Sequence, residues 1–410
     1  MENNLKETLV GRIPNAWQLK TVEELIKENI LDKPLDGNHG GIHPKQSDFV
    51  EKGVPFIMAS DLKNGVVDYS RCKYISEEQA KTLKKGFARE RDVLITHKAT
   101  IGETAIVEGV GDKTIILTPQ VTYYRVNNYE KLNNEYLMYY FNYYRFKELF
   151  ANWAGGGSTR AYLGITAQQK LPIIIPPIEV QRKISFILFS LDNKIKLNNK
   201  MNKTLEEMAQ AIFKSWFVDF EPFKDGEFEE CELGMIPKGW KVNTIDTIGI
   251  FKNGKGLKKE YKNEEGKYNI LGSNGVIGKT NEALFDEFVI TIGRVGANYG
   301  EIHYEDMPCW VSDNAITAQP IVKSNKWFIL YNLYKIDYSS FVGGSAQPLI
   351  TQSAIKSQKI VIPPDELLLK YYNVIDSFYK RISINNKNNN FLKSARDTLL
   401  PKLISGEIEV

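Results

Sequence analysis

The chain is poor in the residues that carry redox and metal chemistry. Among 410 residues there are three cysteines, Cys72, Cys231 and Cys309, far apart and in no CxxC pair. That spacing excludes a disulfide framework and a thiolate zinc site; three reduced thiols are expected. Histidines number four. His39 and His43 are four apart, yet Gly37, Gly40, Gly41 and Pro44 around them read as a loop, not as a helical metal pair. No apolar run approaches the ~20 residues of a membrane span. The opening Met1-Glu2-Asn3-Asn4-Leu5-Lys6-Glu7 has neither the basic region nor the apolar core of a signal peptide, so a cytoplasmic location is expected. Excess charge is also missing: 53 basic residues stand against 50 acidic ones, a net +3. This balance neither demands nor excludes nucleic acid, because only basic groups gathered on one surface would tell.

Catalytic signatures are absent too. There is no GxxxxGK[ST] phosphate loop, no GxSxG and no HExxH. The two Pro-Pro pairs follow isoleucine and precede Ile178 and Asp365, so neither forms the tetrapeptide of an adenine methyltransferase. Asp365 sits where a helix should begin and reads as a partner for the helix dipole, not as a nuclease carboxylate. Gly254-Lys255-Gly256 is a lone glycine pair without a nucleotide-binding context. No catalytic and no metal-ligating residue is therefore assigned, and an enzyme is not expected.

What the chain does have is a long internal repeat. Ile175-Pro176-Pro177 opens a helical pattern that runs to about Asp219. It returns as Ile362-Pro363-Pro364, an offset of 187 positions (175 to 362). Lys194-Ile195-Lys196-Leu197-Asn198-Asn199-Lys200 matches Arg381-Ile382-Ser383-Ile384-Asn385-Asn386-Lys387 at the same offset. Each helix follows a globular head. The heads open with Ile13-Pro14-Asn15-Ala16-Trp17 and Ile236-Pro237-Lys238-Gly239-Trp240, an offset of 223 (13 to 236). The first head is the longer, chiefly through tracts at 32–53 and 77–91, and insertions of this kind belong in surface loops. Composition agrees: 42% hydrophobic and 25% charged residues suit a globular chain of several domains.

The order of signals is the same in both heads. A strand runs into a polar turn at Pro55–Asp61 and at Tyr268–Gly275. Asp92-Val93-Leu94-Ile95-Thr96 and Phe288-Val289-Ile290-Thr291-Ile292 read as buried strands ending in tight loops. Leu117–Tyr124 and Val311–Thr317 read as a third strand pair. An aromatic amphipathic helix is expected over about 133–153, its tyrosines facing the core, with a counterpart over about 325–338. Gly-Ser loops follow at Gly155–Arg160 and Gly343–Gln347, then an apolar strand into each Pro-Pro helix start. The implied partition is 1–177 and 221–363 for the heads, with helices at 178–220 and 364–410.

In heptads counted from Ile184, the a positions are Ile184, Leu191, Asn198, Leu205 and Ile212, and in the copy Tyr371, Phe378, Asn385, Leu392 and Leu399. The d positions are Ile187, Lys194, Met201, Met208 and Ser215, then Val374, Arg381, Asn388, Ala395 and Lys402. Leu188, Ile195 and Ala209 add apolar e positions. The stripe predicts a coiled coil, with Asn198 and Asn385 at one a position setting its register.

Residues offered to DNA base edges or phosphates are Ser60, Asp61 and Lys63 in the first head and Ser273 and Asn274 in the second. Lys98 and Thr100 follow one buried strand, and Arg294 and Asn298 follow its counterpart. The Gly-Ser loops add Ser158, Thr159 and Arg160, then Ser345 and Gln347. Loop chemistry changes between the copies while the strand framework stays, as two readers of two different targets would require. A coiled-coil scaffold that reads no DNA is the alternative.

This doubled order resembles the specificity subunit of type I restriction–modification systems. The resemblance rests on Ile13-Pro14-x-x-Trp17 and Ile236-Pro237-x-Gly239-Trp240, on Asp92-Val93-Leu94-Ile95 then Ile101-Gly102, and on Gly156-Gly157-Ser158-Thr159 then Ile165. The helix entry Ile175-Pro176-Pro177-Ile178-Glu179-Val180-Gln181 and the ending Leu399–Ile408 complete it. It implies an α+β fold: two mixed α/β target-recognition domains joined by two long antiparallel coiled-coil helices, in a pseudo-twofold repeat. It also implies that each domain reads half of a bipartite double-stranded DNA target. The helices would set the spacing and dock two methyltransferase subunits, with restriction–translocase subunits joining them. S-adenosylmethionine, ATP and Mg would belong to those partners, in a DNA-methylating, phage-restricting complex. The second copy departs from the pattern at Ser345-Ala346-Gln347 and at Glu366-Leu367-Leu368.

Overall fold

The computed structural model describes residues 5–155, 161–341 and 349–410. The chain forms two compact units: Met1–Leu197 with Asn388–Val410, and Asn198–Lys387. Each unit holds one head and a part of each long helix. Among the described residues no helix is long and apolar enough to cross a membrane.

In unit 1 the expected central strand, Val93–Lys98, lies between Val121–Tyr124 and Thr100–Ile106 in a six-stranded sheet. Its apolar run is uninterrupted because both faces are covered. Val93 and Ile95 pack into the cluster that contains the aromatic helix, whereas Leu94 packs with Ile57, Leu117 and Val121. Alternate residues of a strand point to opposite faces, so a strand buried on both sides shows no polar alternation. Burying one such side chain is worth roughly 1.5–3 kcal/mol. Unit 2 repeats the device with Val289–Gly293: Ile290 and Ile292 face one cluster and Val289 the other.

A second sheet lies in each head, five-stranded in unit 1 and three-stranded in unit 2. Both contain a parallel pair: Val54–Ile57 with Ile115–Leu117, and Tyr268–Gly272 with Cys309–Val311. The segments 117–124 and 311–317, expected as single strands, are each broken. Ile115–Leu117 and Val121–Tyr124 belong to different sheets, joined by a turn at 118–120; Cys309–Val311 and Ala315–Pro320 do the same around 312–314. Pro119 has no N–H for a ladder, and Asp313-Asn314 is a turn-forming pair.

The aromatic helix is likewise two helices, Asn134–Asn142 and Tyr144–Trp153. Tyr143 between them is extended (φ −63°, ψ 129°), and the Asn142 amide turns back onto the Met138 carbonyl at 2.9 Å. Tyr136, Tyr139, Tyr140 and Tyr143 are buried as expected, while Tyr144 is exposed. The counterpart is Lys326–Tyr334, followed by a 3-10 turn at Tyr338–Phe341. Each helix entry is preceded by its strand: Pro172–Ile175 pairs with Gln18–Thr21, and Lys359–Ile362 with Lys241–Thr244.

The long helices are Ile178–Phe217 and Asp365–Ile404, 40 residues each, or about 60 Å of helix. Asp365 and Glu366 lie in the first turn, where the helix dipole favours anions. Within unit 2 the helices run antiparallel: Asn202 bonds Asn385, while Phe217 meets Tyr371 with ring centroids 4.9 Å apart. The a positions Ile184, Leu191, Asn198, Leu205, Ile212, Phe378, Asn385, Leu392 and Leu399 are all buried or half-buried. Of the ten d positions, Ile187, Ser215 and Lys402 are half-buried and the other seven are off the seam. Lys194, Met201, Met208, Val374, Arg381, Asn388 and Ala395 are exposed. The seam is completed by the e face instead, through Leu188, Ile195, Asn202 and Ala209, then Ile375, Ile382, Asn389 and Leu403. Residues three and four apart both neighbour a, so the apolar d residues of the sequence count sit on the wide outer edge of the stripe. Each long helix therefore buries two asparagines, Asn198 and Asn202 on the first and Asn385 and Asn389 on the second.

The heads are fastened to their helices by different chemistry. In unit 1, buried Gln181 donates to the carbonyls of Pro176 (2.8 Å) and Lys131 (3.0 Å) and accepts from the N–H of Asn133 (2.9 Å). In unit 2, Trp327 stacks on Tyr379 at 3.8 Å with 9° between planes and donates to Asp376 at 3.1 Å. Cys72 and Cys309 are buried and none of the three thiols is bridged; burial pushes the Cys309 thiol up to about 12.

Candidate nucleic-acid interface

The turn that links the two sheets of a head is held identically in both units. The Thr118 N–H donates to the Ile57 carbonyl (2.9 Å), and the Ser312 N–H to that of Leu271 (2.8 Å). The turn closes through Val121 N–H to Thr118 C=O (3.1 Å) and Ala315 N–H to Ser312 C=O (3.2 Å). The Gln120 carbonyl accepts from the His97 N–H (2.9 Å), and the Asn314 carbonyl from that of Arg294 (3.1 Å). The segment after each Gly-Ser loop docks alongside: Leu163 N–H to His97 C=O at 3.0 Å, and Ile350 N–H to Arg294 C=O at 2.9 Å. A backbone packs tightly over each turn. A Cβ on Gly37 would lie 1.9 Å from the Leu117 carbonyl oxygen, and one on Gly254 2.1 Å from that of Ser312. Only glycine permits so close an approach.

In unit 1 this turn borders a concavity of about 370 Å³. Its lining includes His39, His43, Phe56, Lys98, Thr118 and Gln120. His43 and Phe56 lie 5.6 Å apart at a tilt. Among the described residues, the Thr118 hydroxyl and His43 Nδ1 are buried there with no hydrogen-bond partner. Beneath lies a polar network. His97 contacts the Thr122 hydroxyl, the Pro119 carbonyl (3.0 Å) and the Gln168 amide (3.1 Å), and Gln168 accepts from Tyr124 (2.9 Å). Burial holds the His97 imidazole below its ordinary pKa, although the charge of Asp36 pulls the other way. Burial also opposes ionisation of Asp36, yet hydrogen bonds and charge from Lys85 and His39 outweigh it and keep this carboxyl below the usual range.

In unit 2 the corresponding region collects unpaired polar atoms. Among the described residues, the hydroxyls of Thr291 and Ser312, Arg294 Nε and His303 Nε2 are buried without a partner. Thr291 and His303 are register partners, and the His303 ring lies against Gly275 in the Ser273–Gly275 turn. Among the described residues, no group of three or more His, Cys, Asp or Glu is arranged to hold a metal ion.

The proposed contact residues fall out unevenly. Lys98 and Thr100 are exposed at the tip of a hairpin turned by Ala99 (φ 63°), and Lys98 pairs with Tyr162. Arg294 corresponds by register to His97, not to Lys98, because Val121 faces Thr96 as Ala315 faces Gly293. Asn298 ends a 3-10 turn and is half-buried. Ser273 is half-buried and Asn274 exposed in their hairpin turn. Ser60 and Lys63 are exposed but do not line the concavity at Lys98. Asp61 requires correction as a base reader: it is buried, and its carboxylate accepts from the Met58 N–H (2.8 Å) and the Ser60 hydroxyl (3.3 Å), closing its own turn. Ser158, Thr159, Arg160, Ser345 and Gln347 lie outside the described residues. Thr118, Gln120, Ser312 and Asn314 of these turns do not stand out in the sequence because their segments read as strand interior; Pro119 is the signal against it.

The type I restriction modification DNA specificity domain model matches residues 17–207 and 237–394. The chain belongs to that family, as the doubled motifs implied. It is 28% identical to the type I restriction enzyme MjaIX specificity subunit of Methanocaldococcus jannaschii, over all of this chain and 97% of that one. It is 24% identical to the HindI specificity subunit of Haemophilus influenzae, over 58% of this chain and 69% of that one. In fold it resembles the crystal structure of the type I restriction–modification S subunit from M. genitalium, with a TM-score of 0.60 at 16% identity, covering 98% of this chain and 96% of that one.

Proposed function

We propose that each unit reads one half of a bipartite double-stranded DNA target and that the chain is the non-catalytic specificity subunit of its complex. The observation that carries this reading is the turn framework repeated bond for bond in the two units, with different side chains mounted on it. Affinity then comes mostly from phosphate contacts, and a few turn side chains discriminate bases. The paired helices set the spacing between half-sites and dock two methyltransferase subunits, which restriction–translocase subunits join. Support comes from the outer face of the helices, where Phe186, Leu197, Met201, Met208, Ile384 and Phe391 are all exposed; large apolar side chains on a solvent face mark contact surfaces. S-adenosylmethionine, ATP and Mg act on the partners. Replacing residues 1–177 by the head of another family member tests the reading. One half of the methylated sequence should change and the other stay; change in both halves, or in neither, contradicts it.

A further inference from the structure

Resting on that two-reader function, we propose that Gln120 and Asn314 are specificity-determining residues, each reading one adenine of its half-site. Their equivalence is structural. Both are third in a turn that begins with a buried hydroxyl, Thr118 or Ser312, without a partner among the described residues. Both fasten their own carbonyl to the end of the central strand, at His97 or Arg294. That bond fixes the backbone and leaves the side chain spare. Among the described residues neither amide is engaged: Gln120 is half-buried on the wall of the concavity beside Lys98, and Asn314 is exposed. Asparagines with a purely local turn role in this chain behave otherwise. Asn128 accepts from the Glu130 N–H at 3.0 Å, and Asn263 from that of Glu265 at 3.0 Å.

A free carboxamide offers one acceptor beside one donor in a plane. That matches N6–H and N7 of adenine in the major groove, whereas guanine presents two acceptors and calls for arginine or lysine. The same amide chemistry at one position of both copies, on turns whose neighbours otherwise differ, gives each half-site an adenine in common. The buried hydroxyl behind each amide supplies a second polar group that a base edge or bridging water completes, since a buried polar atom left unpaired is costly.

The test uses the full chain, co-expressed with its methyltransferase subunits in cells whose DNA lacks the modification, and sequencing that maps methylated adenines. Gln120→Ala should make one A·T position degenerate in one half-site, with discrimination there reduced on the order of 10- to 100-fold. Asn314→Ala should do the same in the other half-site only. Gln120→Glu keeps the shape but only accepts hydrogen bonds, so preference should move toward cytosine; it decides the matter if the alanine variant fails to assemble. An unchanged motif in these variants, relaxation at a G·C position, or change in both halves at once overturns the assignment. A wild-type complex that yields no bipartite motif overturns the two-reader function beneath it, whatever the variants do.

Discussion

Asn385 donates its side-chain amide to Asn202 Oδ1 at 2.8 Å inside the helix seam, and the Asn202 amide passes on to Asn386 at 2.8 Å. Asn202 and Asn385 are both buried, so the pair is satisfied only when these two turns of helix stand level. Asn385→Ala should lower the unfolding free energy by about 1–3 kcal/mol, because it strands a buried amide. Asn202→Leu with Asn385→Leu should recover that loss while allowing the helices to slide. Denaturant unfolding together with cross-linking along the seam reads both effects. A double variant with wild-type stability and a single cross-linked register would sink the register role.

His97 should make unit 1 sensitive to mild acid. Its imidazole is buried and its pKa lowered, so the unfolded chain binds the proton more readily. Stability is full above the unfolded value near 6.5 and falls as pH drops through it toward the folded value. The depressed Asp36 acts in a separate window, contributing above its ordinary 3.8 and losing that contribution only at lower pH. Melting at pH 7.5 and 5.5 should show a drop that His97→Gln diminishes; identical pH dependence in the variant would contradict it.

Asp61 separates a turn-holding role from a reading role. Asp61→Ala leaves the Met58 N–H unpaired and should cost about 1–2 kcal/mol. The methylated motif should be unchanged. A new base preference without loss of stability would restore Asp61 as a reader.

Lys98 should act on phosphate more than on sequence. In filter binding of the assembled complex, Lys98→Ala should weaken all duplexes alike and reduce the slope of log K against log salt by about 0.9. A change confined to one sequence would instead place Lys98 on a base edge.

Trp327 should report on unit 2 alone. It is 1% exposed and stacked on Tyr379. Trp327→Ala should destabilise that unit by roughly 3–5 kcal/mol, with the hydrogen-exchange protection of Tyr136 and Tyr140 in unit 1 preserved. Equal loss of protection in both units would show that they unfold together.

The sequence spoke most clearly where one periodicity ruled. Val93-Leu94-Ile95 and Val289-Ile290 announced buried strands, and the shared offset announced the helices. It was weaker where two arrangements satisfy the same pattern. Met201 and Met208 are apolar, so a heptad count places them inward; only packing shows that the seam turns toward Leu188, Ile195 and Ala209. The sheet-to-sheet turns were hidden for a related reason: Leu117, Val121, Tyr123 and Tyr124 are all buried, but in strands of two different sheets. The placement of the candidate residues was therefore legible only in part. Lys98 and Thr100 follow a buried strand and lie at an exposed hairpin tip, whereas the equivalence of Gln120 and Asn314 shows only in the backbone hydrogen bonds.

Unit 2 is one contiguous stretch of chain, whereas unit 1 closes only when 388–410 return to a segment, 1–197, that was made before the whole of unit 2. Leu403 and Ile404 share a core cluster with Val10, Ile13 and Trp17. During synthesis, unit 2 can therefore be complete before unit 1 has its last layer. A ribosome that stops short of residue 388 releases a finished second head tied to a first one whose core is open, a product that quality control can distinguish by the apolar surface it still exposes.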